Sequence, residues 1–269
     1  MKVLLKLTAF LIGFGLCWLA LAQINWVQIF HVKKTSAELE VKVTEMIKES
    51  IQRSEKVIED EEIKAVIDSL VKRITNANSI YGEELNIMLV DNPQINAFAL
   101  PDNHIIIYSG LIDACDQPEA LAGVIAHELA HIRLNHVMKK LVKEIGISVL
   151  FSMTSNGSGE VLKQTTKALT SSAYDRSLED EADEKAFQYL ISADINPAPL
   201  ADFFYQLSLQ EPSLTSNLQW INTHPETKER AENIVSKLVD STYEFLPLIN
   251  DDTWNTLKEE VQSIEKKSL

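Results

Sequence analysis

The segment that most constrains the fold is PEALAGVIAHELAHIRLNHVMKKL, residues 118–141. Its pattern is strongly helical, and Pro118 suits the first turn of an α-helix, where no backbone N–H is needed. Apart from its two histidines, the residues around its central Glu128 are small or apolar, namely Ala126, Leu129, Ala130 and Ile132. A helix on the surface would carry polar neighbours there. The segment therefore predicts a helix that is buried over much of its surface.

Two histidines on this helix are spaced for metal binding. His127 and His131 lie one turn apart on the same face, with side chains roughly 6 Å from each other. At that spacing two imidazoles can hold one zinc ion, each at about 2.0–2.1 Å. Glu128 lies beside them, where it can take a proton from a zinc-activated water without being a ligand. The order ligand, base, ligand predicts a catalytic zinc site.

A third protein ligand is expected further along the chain. His136 is excluded, because an extended motif with a third histidine needs it ten residues after His127, not nine. The segment SAYDRSLEDEADEKAF offers a better candidate in Glu179. Asp183 follows one helical turn later, and it can accept the ring N–H of a zinc-bound histidine. Glu179 is thus the predicted third ligand and Asp183 its supporting carboxylate.

Four stretches in order resemble one known family. NAFALPDNHIIIYSGLI, EALAGVIAHELAHIRLNH, RSLEDEAD and THPETKER look like the HtpX-like, BepA-like and CAAX-prenyl-protease-like gluzincins, metallopeptidase family forty-eight. The resemblance covers roughly residues 80–235. It implies a mostly helical zinc metallopeptidase domain with one zinc ion per chain. By motif, His127, His131 and Glu179 match the ligands of this family, and Glu128 matches its general base.

The resemblance also implies roles for residues outside the two motif helices. His224 matches a family histidine that either approaches the metal or stabilises the oxyanion, and both roles stay open. Asp183 and Arg230 match residues that support the ligands. The segment of Asn96, Ala97, Phe98 and Ala99 matches a strand beside the zinc helix, which can pair with an extended peptide substrate.

The predicted fold is mainly α in an α+β arrangement, with a zincin-like domain and a small antiparallel sheet. Residues 84–93 read as a strand, and a hairpin follows, with arms at residues 96–100 and 104–108. Pro101 lacks a donor N–H, which places the first arm near an edge. Relatives often have glycine in the hairpin turn. Asp102 and Asn103 stand there in this chain, and both tolerate positive φ.

Four regions are expected along the chain. They are a signal peptide or transmembrane anchor at residues 1–30, a helical segment at 31–78, the metallopeptidase domain at 79–240 and a C-terminal helical appendage at 241–269. In the second region, the sequence pattern from Thr35 to Ala77 predicts amphipathic helix. In the last region it predicts a solvated final helix. Inside the third region, the Ser- and Gly-rich residues 151–160 read as a loop.

The apolar run from Leu7 to Ala22 predicts export or membrane attachment. Ala20-Leu21-Ala22 resembles the cleavage site of a signal peptide, whereas apolar character up to Phe30 is long enough for a membrane anchor. The sequence leaves these alternatives open. Either one favours a bacterial-type protein outside the cytoplasm, on the periplasmic side. Membrane orientation is not determined, because the lysines on the two sides of the run balance.

Charge narrows the classes of partner. The formal net charge of −14 argues against nucleic acid, whose binding needs clustered lysine and arginine. The expected function is a zinc-dependent endopeptidase acting on proteins or peptides, in quality control of misfolded or membrane-associated proteins. The alternative is a latent protease that serves mainly as a binding or assembly factor. Both need the same ligands, and the sequence does not fix the oligomeric state.

Overall fold

The computed structural model describes residues 32–80, 84–156, 159–209, 219–239 and 243–268. The apolar segment predicted at residues 1–30 lies outside these ranges. Within them, no helix combines the length and the apolar character that a membrane crossing requires. The described residues from 40 onward belong to one compact unit, which contains every predicted site residue.

Helices predominate among the described elements. In chain order they are α1 (Val32–Ser54), β1 (Lys56–Val57), α2 (Glu61–Ala77), β2 (Asn86–Asp91), β3 (Ala97–Leu100), β4 (His104–Tyr108), α3 (Ser109–Ala114), α4 (Pro118–Arg133), α5 (His136–Ile145), α6 (Ile147–Asn156), α7 (Gly159–Ser171), α8 (Arg176–Ser192), α9 (Ala198–Ser208), α10 (Gln219–Thr223), α11 (Thr227–Leu238) and α12 (Asp251–Ser268). The expected mainly α, α+β class is confirmed.

The sheet is mixed, and the prediction of a purely antiparallel sheet is wrong. Its strand order is β1-β2-β4-β3, in which β2 pairs with β4 in parallel and the other two pairs are antiparallel. Strand β3 lies between β2 and β4 in sequence but folds out to the edge, so β4 returns alongside β2. The middle residues of β4 are apolar and buried, as expected for a strand with neighbours on both sides.

The predicted hairpin is present. Strand β3 lies at the edge of the sheet, as Pro101 indicates, and pairs with β4 in the register Ala97↔Ile107 and Ala99↔Ile105. The turn residues Asp102 and Asn103 have φ angles of 57° and 54°. This is the left-handed region, which Asp and Asn tolerate better than most residues. The turn therefore survives without the glycine that relatives often carry.

The helix predicted from Thr35 to Ala77 is interrupted. It ends at Ser54, a two-residue strand follows, and a second helix begins at Glu61. Lys56 and Val57 pair with Asp91 and Val90 at the end of β2, so sheet hydrogen bonds replace helix hydrogen bonds there. Asp60 then caps the second helix by accepting two backbone N–H groups. No glycine or proline marks this break in the sequence.

Two further predictions are wrong. The Ser- and Gly-rich residues 151–160 were expected to form a loop, but helix α6 continues to Asn156 and α7 begins at Gly159. Serine, threonine and asparagine cost a helix well under about 1 kcal/mol each, so composition alone does not end it. The final helix α12 is amphipathic instead of merely solvated. It buries Trp254, Leu257 and Val261, and the Trp254 indole N–H donates to the carbonyl of Asp116.

Helix α4 is the centre of the fold. All its residues from Pro118 to His131 are buried, and it packs against α2, α8, α9 and strand β3. Small residues allow these neighbours to approach. At Gly123, an added Cβ would lie 2.7 Å from the Cβ of Leu200 on α9. This close approach brings the polar residues of α4 next to those of the surrounding helices.

We expect Gly123→Ala to destabilise the protein by about 1–3 kcal/mol, because the added methyl forces α9 away from α4. Gly159→Ala is the matched control, since nothing lies within 4 Å of the added Cβ and its φ is ordinary. Alanine favours helix over glycine, so the control should be neutral or slightly more stable. The free energy of unfolding in urea measures both. Equal stability of the two variants would contradict the close packing.

Candidate metal centre

Helix α4 presents His127, Glu128 and His131 inside the protein. All three side chains have an exposed fraction of 0%. A buried polar group without a partner costs several kcal/mol, so each one requires partners from other elements. Helix α8 supplies Glu179 and the segment after α10 supplies His224, which are 2% and 1% exposed. The structure thus brings together residues that are separated by up to 97 positions.

Four ligand-type atoms converge at one point. One side-chain nitrogen or oxygen from each of His127, His131, Glu179 and His224 lies within 4.8 Å of the other three. Nε2 of His127 is 2.9 Å from Nε2 of His131 and 3.3 Å from Nδ1 of His224. The Glu179 carboxylate lies 3.4 Å from Nε2 of His131 and 3.0 Å from Nδ1 of His224. This cluster could hold a metal ion.

The spacing of these atoms fits zinc. In a tetrahedral site with bonds of about 2.0–2.1 Å, neighbouring ligand atoms are roughly 3.3–3.4 Å apart. In five of the six pairs formed by these residues, the facing atoms lie 2.9–3.5 Å apart. The donor set of imidazole nitrogen and one carboxylate is also that of catalytic zinc sites, in contrast to the oxygen-only sites of calcium or magnesium. Both the donors and their spacing therefore suit this metal.

Asp183 and Arg230 contact the residues of the cluster without belonging to it. Nδ1 of His127 lies 3.0 Å from the Asp183 carboxylate. Arg230 donates to both oxygens of Asp183 at 2.7 Å, and its Nη1 lies 2.8 Å from Glu179. Burial would raise the pKa of both carboxyl groups, but the neighbouring cations hold each pKa well below its ordinary value. Both carboxylates are therefore charged at neutral pH.

Glu128 is set apart from the ligand cluster. Its Oε2 accepts the backbone N–H of Ala99 on β3 at 2.7 Å. Its Oε1 has no hydrogen-bond partner among the described residues, and it lies 3.4 Å from Nε2 of His224. Burial raises the pKa of Glu128 to about 7, although the Ala99 N–H acts in the opposite direction. A carboxylate with this pKa can accept and return a proton near neutral pH.

The outer edge of β3 faces Glu128. Tyr108 donates its N–H to the carbonyl of Asn96, so Asn96 and then Phe98 direct their backbone groups toward β4. Ala97 and Ala99 direct theirs to the outer edge, where Glu128 takes the N–H of Ala99. Asn96 is completely buried, and neither atom of its side-chain amide has a partner in the described part of the chain.

Two aromatic residues of the site were not predicted. Trp220 stacks on the His224 ring with centroids 4.0 Å apart, and Tyr174 stacks on the His131 ring at the same distance. The Tyr174 N–H donates to the carbonyl of Thr223, which ties the α8 segment to the His224 segment. A signal was present for Trp220, which precedes His224 by one helical turn. Tyr174 carried no comparable signal.

The sequence profile of Peptidase family M48 matches residues 58–238, well over half of the chain. The chain belongs to peptidase family M48. The resemblance seen in the motifs is therefore confirmed. The matched range also contains the four converging ligand residues, Glu128 and the edge strand, so the site lies wholly within the family domain.

Several curated relatives are similar to the chain. Metalloprotease LoiP of Escherichia coli (strain K12) is 31% identical over 174 residues, which are 61% of this chain and 68% of LoiP. Metalloendopeptidase OMA1, mitochondrial, of Bos taurus is 27% identical over 64% of this chain and 36% of its own length. The beta-barrel assembly-enhancing protease of Escherichia coli (strain K12) is 26% identical over 72% and 44%. The chain thus spans about two thirds of LoiP and less than half of the other two.

Membership of family M48 confirms the predicted function at the level of the reaction. The domain is that of a metallopeptidase, a class of enzyme that acts on proteins or peptides.

Proposed function

We propose that His127, His131 and Glu179 hold one zinc ion and that Glu128 is the general base in the hydrolysis of peptide bonds. The observation that carries this proposal is the convergence of the three buried ligand side chains, with facing atoms 2.9–3.5 Å apart, beside a separate carboxylate. Asp183 orients His127 through its Nδ1–H, and Arg230 neutralises Asp183 and Glu179. The three ligands leave a fourth position for water or substrate.

Glu128 moves the proton in this mechanism. When bound, zinc supplies a Lewis acid that activates water at neutral pH and polarises the carbonyl group. The free Oε1 of Glu128 accepts a proton from the attacking water and then delivers it to the nitrogen of the leaving amine. The N–H of Ala99 holds Oε2 in place, so the carboxylate keeps one orientation through both transfers.

The outer edge of β3 binds the substrate in this proposal. An extended peptide that pairs with the backbone of Ala97 and with the carbonyl of Ala99 would continue the sheet and run past Glu128, whose carboxylate keeps the Ala99 N–H. Main-chain hydrogen bonds of this kind do not depend on side chains, which suits an enzyme that acts on varied unfolded segments. Phe98, between the two alanines, directs its backbone groups to β4 and fixes the strand in the sheet.

Asn96, the buried polar residue just before β3, is the side chain that we propose contacts the peptide in this arrangement. It is 0% exposed, and both its amide oxygen and its amide nitrogen lack partners in the described residues. A buried amide without partners is destabilising, so its retention requires another benefit. One donor and one acceptor match a peptide group. Asn96 therefore adds two hydrogen bonds when substrate binds.

His224 blocks the centre in the resting protein. Its Nδ1 lies 3.3 Å from Nε2 of His127, and its Nε2 lies 3.4 Å from Glu128. The imidazole thus fills the space between the ligands and the general base, where the attacking water has to stand. Burial lowers the pKa of His224 to about 4, so the ring is a neutral donor of an electron pair. Of the two roles that the family resemblance leaves open, this position favours blockade.

We further propose a role in quality control of misfolded or membrane-associated proteins, with attachment to or export across a membrane through residues 1–30. The apolar run in that segment supports the location, and main-chain recognition supports a broad choice of substrate. One relative is named for enhancing β-barrel assembly. Latency as an assembly factor is the second candidate function, and it is favoured by His224 at the metal centre and by a fully buried edge strand.

Glu128→Gln should retain zinc and lose activity, because the amide has nearly the same shape but cannot accept the proton. We expect kcat for casein cleavage to fall by at least about a hundredfold. Zinc per chain, measured by elemental analysis, should stay near one. The matched control Glu144→Gln changes an exposed glutamate on α5 and should behave as wild type. Full activity in Glu128→Gln would exclude this general base.

Asn96→Ala should lower kcat/KM for peptides by roughly 10- to 100-fold, since two hydrogen bonds to the substrate are lost. Stability should change little, because the lost packing is offset by the removal of two unpartnered buried atoms. Thermal unfolding and steady-state kinetics are measured together. Asn86→Ala, at the exposed start of β2, is the control. Wild-type kcat/KM in Asn96→Ala would remove this residue from the substrate site.

His224→Ala should raise basal proteolysis, because the space between the ligands and Glu128 opens to water. Peptide cleavage is measured without any activating partner, and zinc content is measured on the same samples. Asn222→Ala changes an exposed neighbour and controls for effects on the local segment. A fall in rate of roughly a hundredfold would show instead that His224 stabilises the oxyanion.

A further inference from the structure

His136 is buried next to the metal centre but is not one of its converging ligands. It is the first residue of α5. Asn135, just before it, has a left-handed φ of 58°, which turns the chain sharply after α4. The turn returns His136 to the side of His131, so that their ring centroids are 5.1 Å apart. Nothing in the mechanism above uses this residue.

The two rings meet through their Nδ1 atoms, which lie 3.1 Å apart. Nε2 of His131 lies in the ligand cluster, 2.9 Å from Nε2 of His127. The nitrogen that faces a metal has to present its electron pair, so the ring proton of His131 belongs on Nδ1. His131 then donates to Nδ1 of His136, which acts as the acceptor.

The chain of contacts continues to the protein surface. With its Nδ1 accepting, a neutral His136 carries its own proton on Nε2, which lies 3.3 Å from Oε2 of Glu181. Glu181 is on α8, two residues after Glu179, and its side chain is 58% exposed. One tautomer of each ring therefore satisfies every contact from the carboxylate of Glu181 to the ligand nitrogen of His131.

We propose that His136 and Glu181 form a positioning relay that fixes the ring orientation and tautomer of His131. The inference rests on the proposed zinc site, in which His131 is a ligand. His127 is held by a charged pair, Asp183 and Arg230, and His131 is held by a neutral imidazole with an exposed carboxylate behind it. The two histidine ligands thus have separate supports, formed by different residues.

The zinc affinity of the full-length protein tests the relay, by competition with a chromogenic chelator. His136→Leu removes the acceptor and should weaken zinc binding by roughly 10- to 100-fold. His136→Asn restores an acceptor close to the position of Nδ1 and should recover most of the affinity. A histidine that only fills space would be replaced better by leucine than by asparagine, so the order of the two variants separates positioning from packing.

Glu181 provides a test that does not disturb the core. Glu181→Ala should weaken zinc binding by roughly 2- to 10-fold through the loss of one hydrogen bond. Glu184→Ala is the matched control. It removes an exposed glutamate from the same helix, one that pairs with Lys237 at the surface. Both variants lose one negative charge, so the comparison cancels the general effect of charge. The control should bind zinc like the wild type, because Glu184 pairs with Lys237 and not with His136.

The outcomes separate the relay from the site itself. If His136→Leu does not fold, the zinc affinities of Glu181→Ala and Glu184→Ala still test the relay. Wild-type zinc affinity in folded His136→Leu, or equal affinity in the two glutamate variants, would overturn the relay and leave the zinc site intact. A wild-type protein that binds no zinc would overturn the proposed function and the relay together.

Discussion

The structure depends on the burial of helix α4 from Pro118 to His131, a stretch in which His127, Glu128 and His131 are 0% exposed. Imidazole and carboxylate groups in that position need partners, and the surrounding elements provide them in a fixed arrangement. Helix α8 contributes Glu179 and Asp183, α11 contributes Arg230, and β3 contributes the Ala99 N–H. The metal centre is therefore the polar part of the core, and the same contacts that satisfy it also hold the layers together.

The charged neighbours of Glu179 and Glu128 differ, and this difference gives the two glutamates different properties. Arg230 lies against Asp183 and Glu179, and both carboxylates stay ionised. Glu128 is equally buried but has no guanidinium in contact, so burial raises its pKa to about 7. Two glutamates in one site thus have different properties because only one of them is paired with a guanidinium. The difference suits one glutamate to metal binding and the other to proton transfer.

Two hydrogen bonds connect the edge of the sheet with the metal centre. The backbone N–H of Ala99 donates to the Glu128 carboxylate. The backbone N–H of Trp220 donates to the carbonyl of Ile95, two residues before β3. Trp220 also stacks on His224. Strand β3 is therefore connected by short contacts both to Glu128 and to the segment that carries His224.

The sequence by itself determined the features that depend on local spacing. His127 and His131 share a face because they are four residues apart on a helix, and the same holds for Glu179 and Asp183. The edge hairpin, its turn at Asp102 and Asn103, and the mainly helical class also follow from local patterns. The position of His224 and Arg230 next to the histidines of α4 was predicted only through a family resemblance. No local rule relates them to His127, which is about a hundred positions earlier in the chain.

Tertiary structure decided the rest. The break after Ser54 exists because Lys56 and Val57 find a partner in β2, and the parallel pairing of β2 with β4 exists because β3 folds to the edge. The apolar face of α12 is used because α3 lies beside it. His136 contacts His131 only because Asn135 adopts a left-handed conformation between two helices. In each case the energy comes from contacts between segments distant in sequence or from a turn that packing stabilises, and neither leaves a local pattern to read.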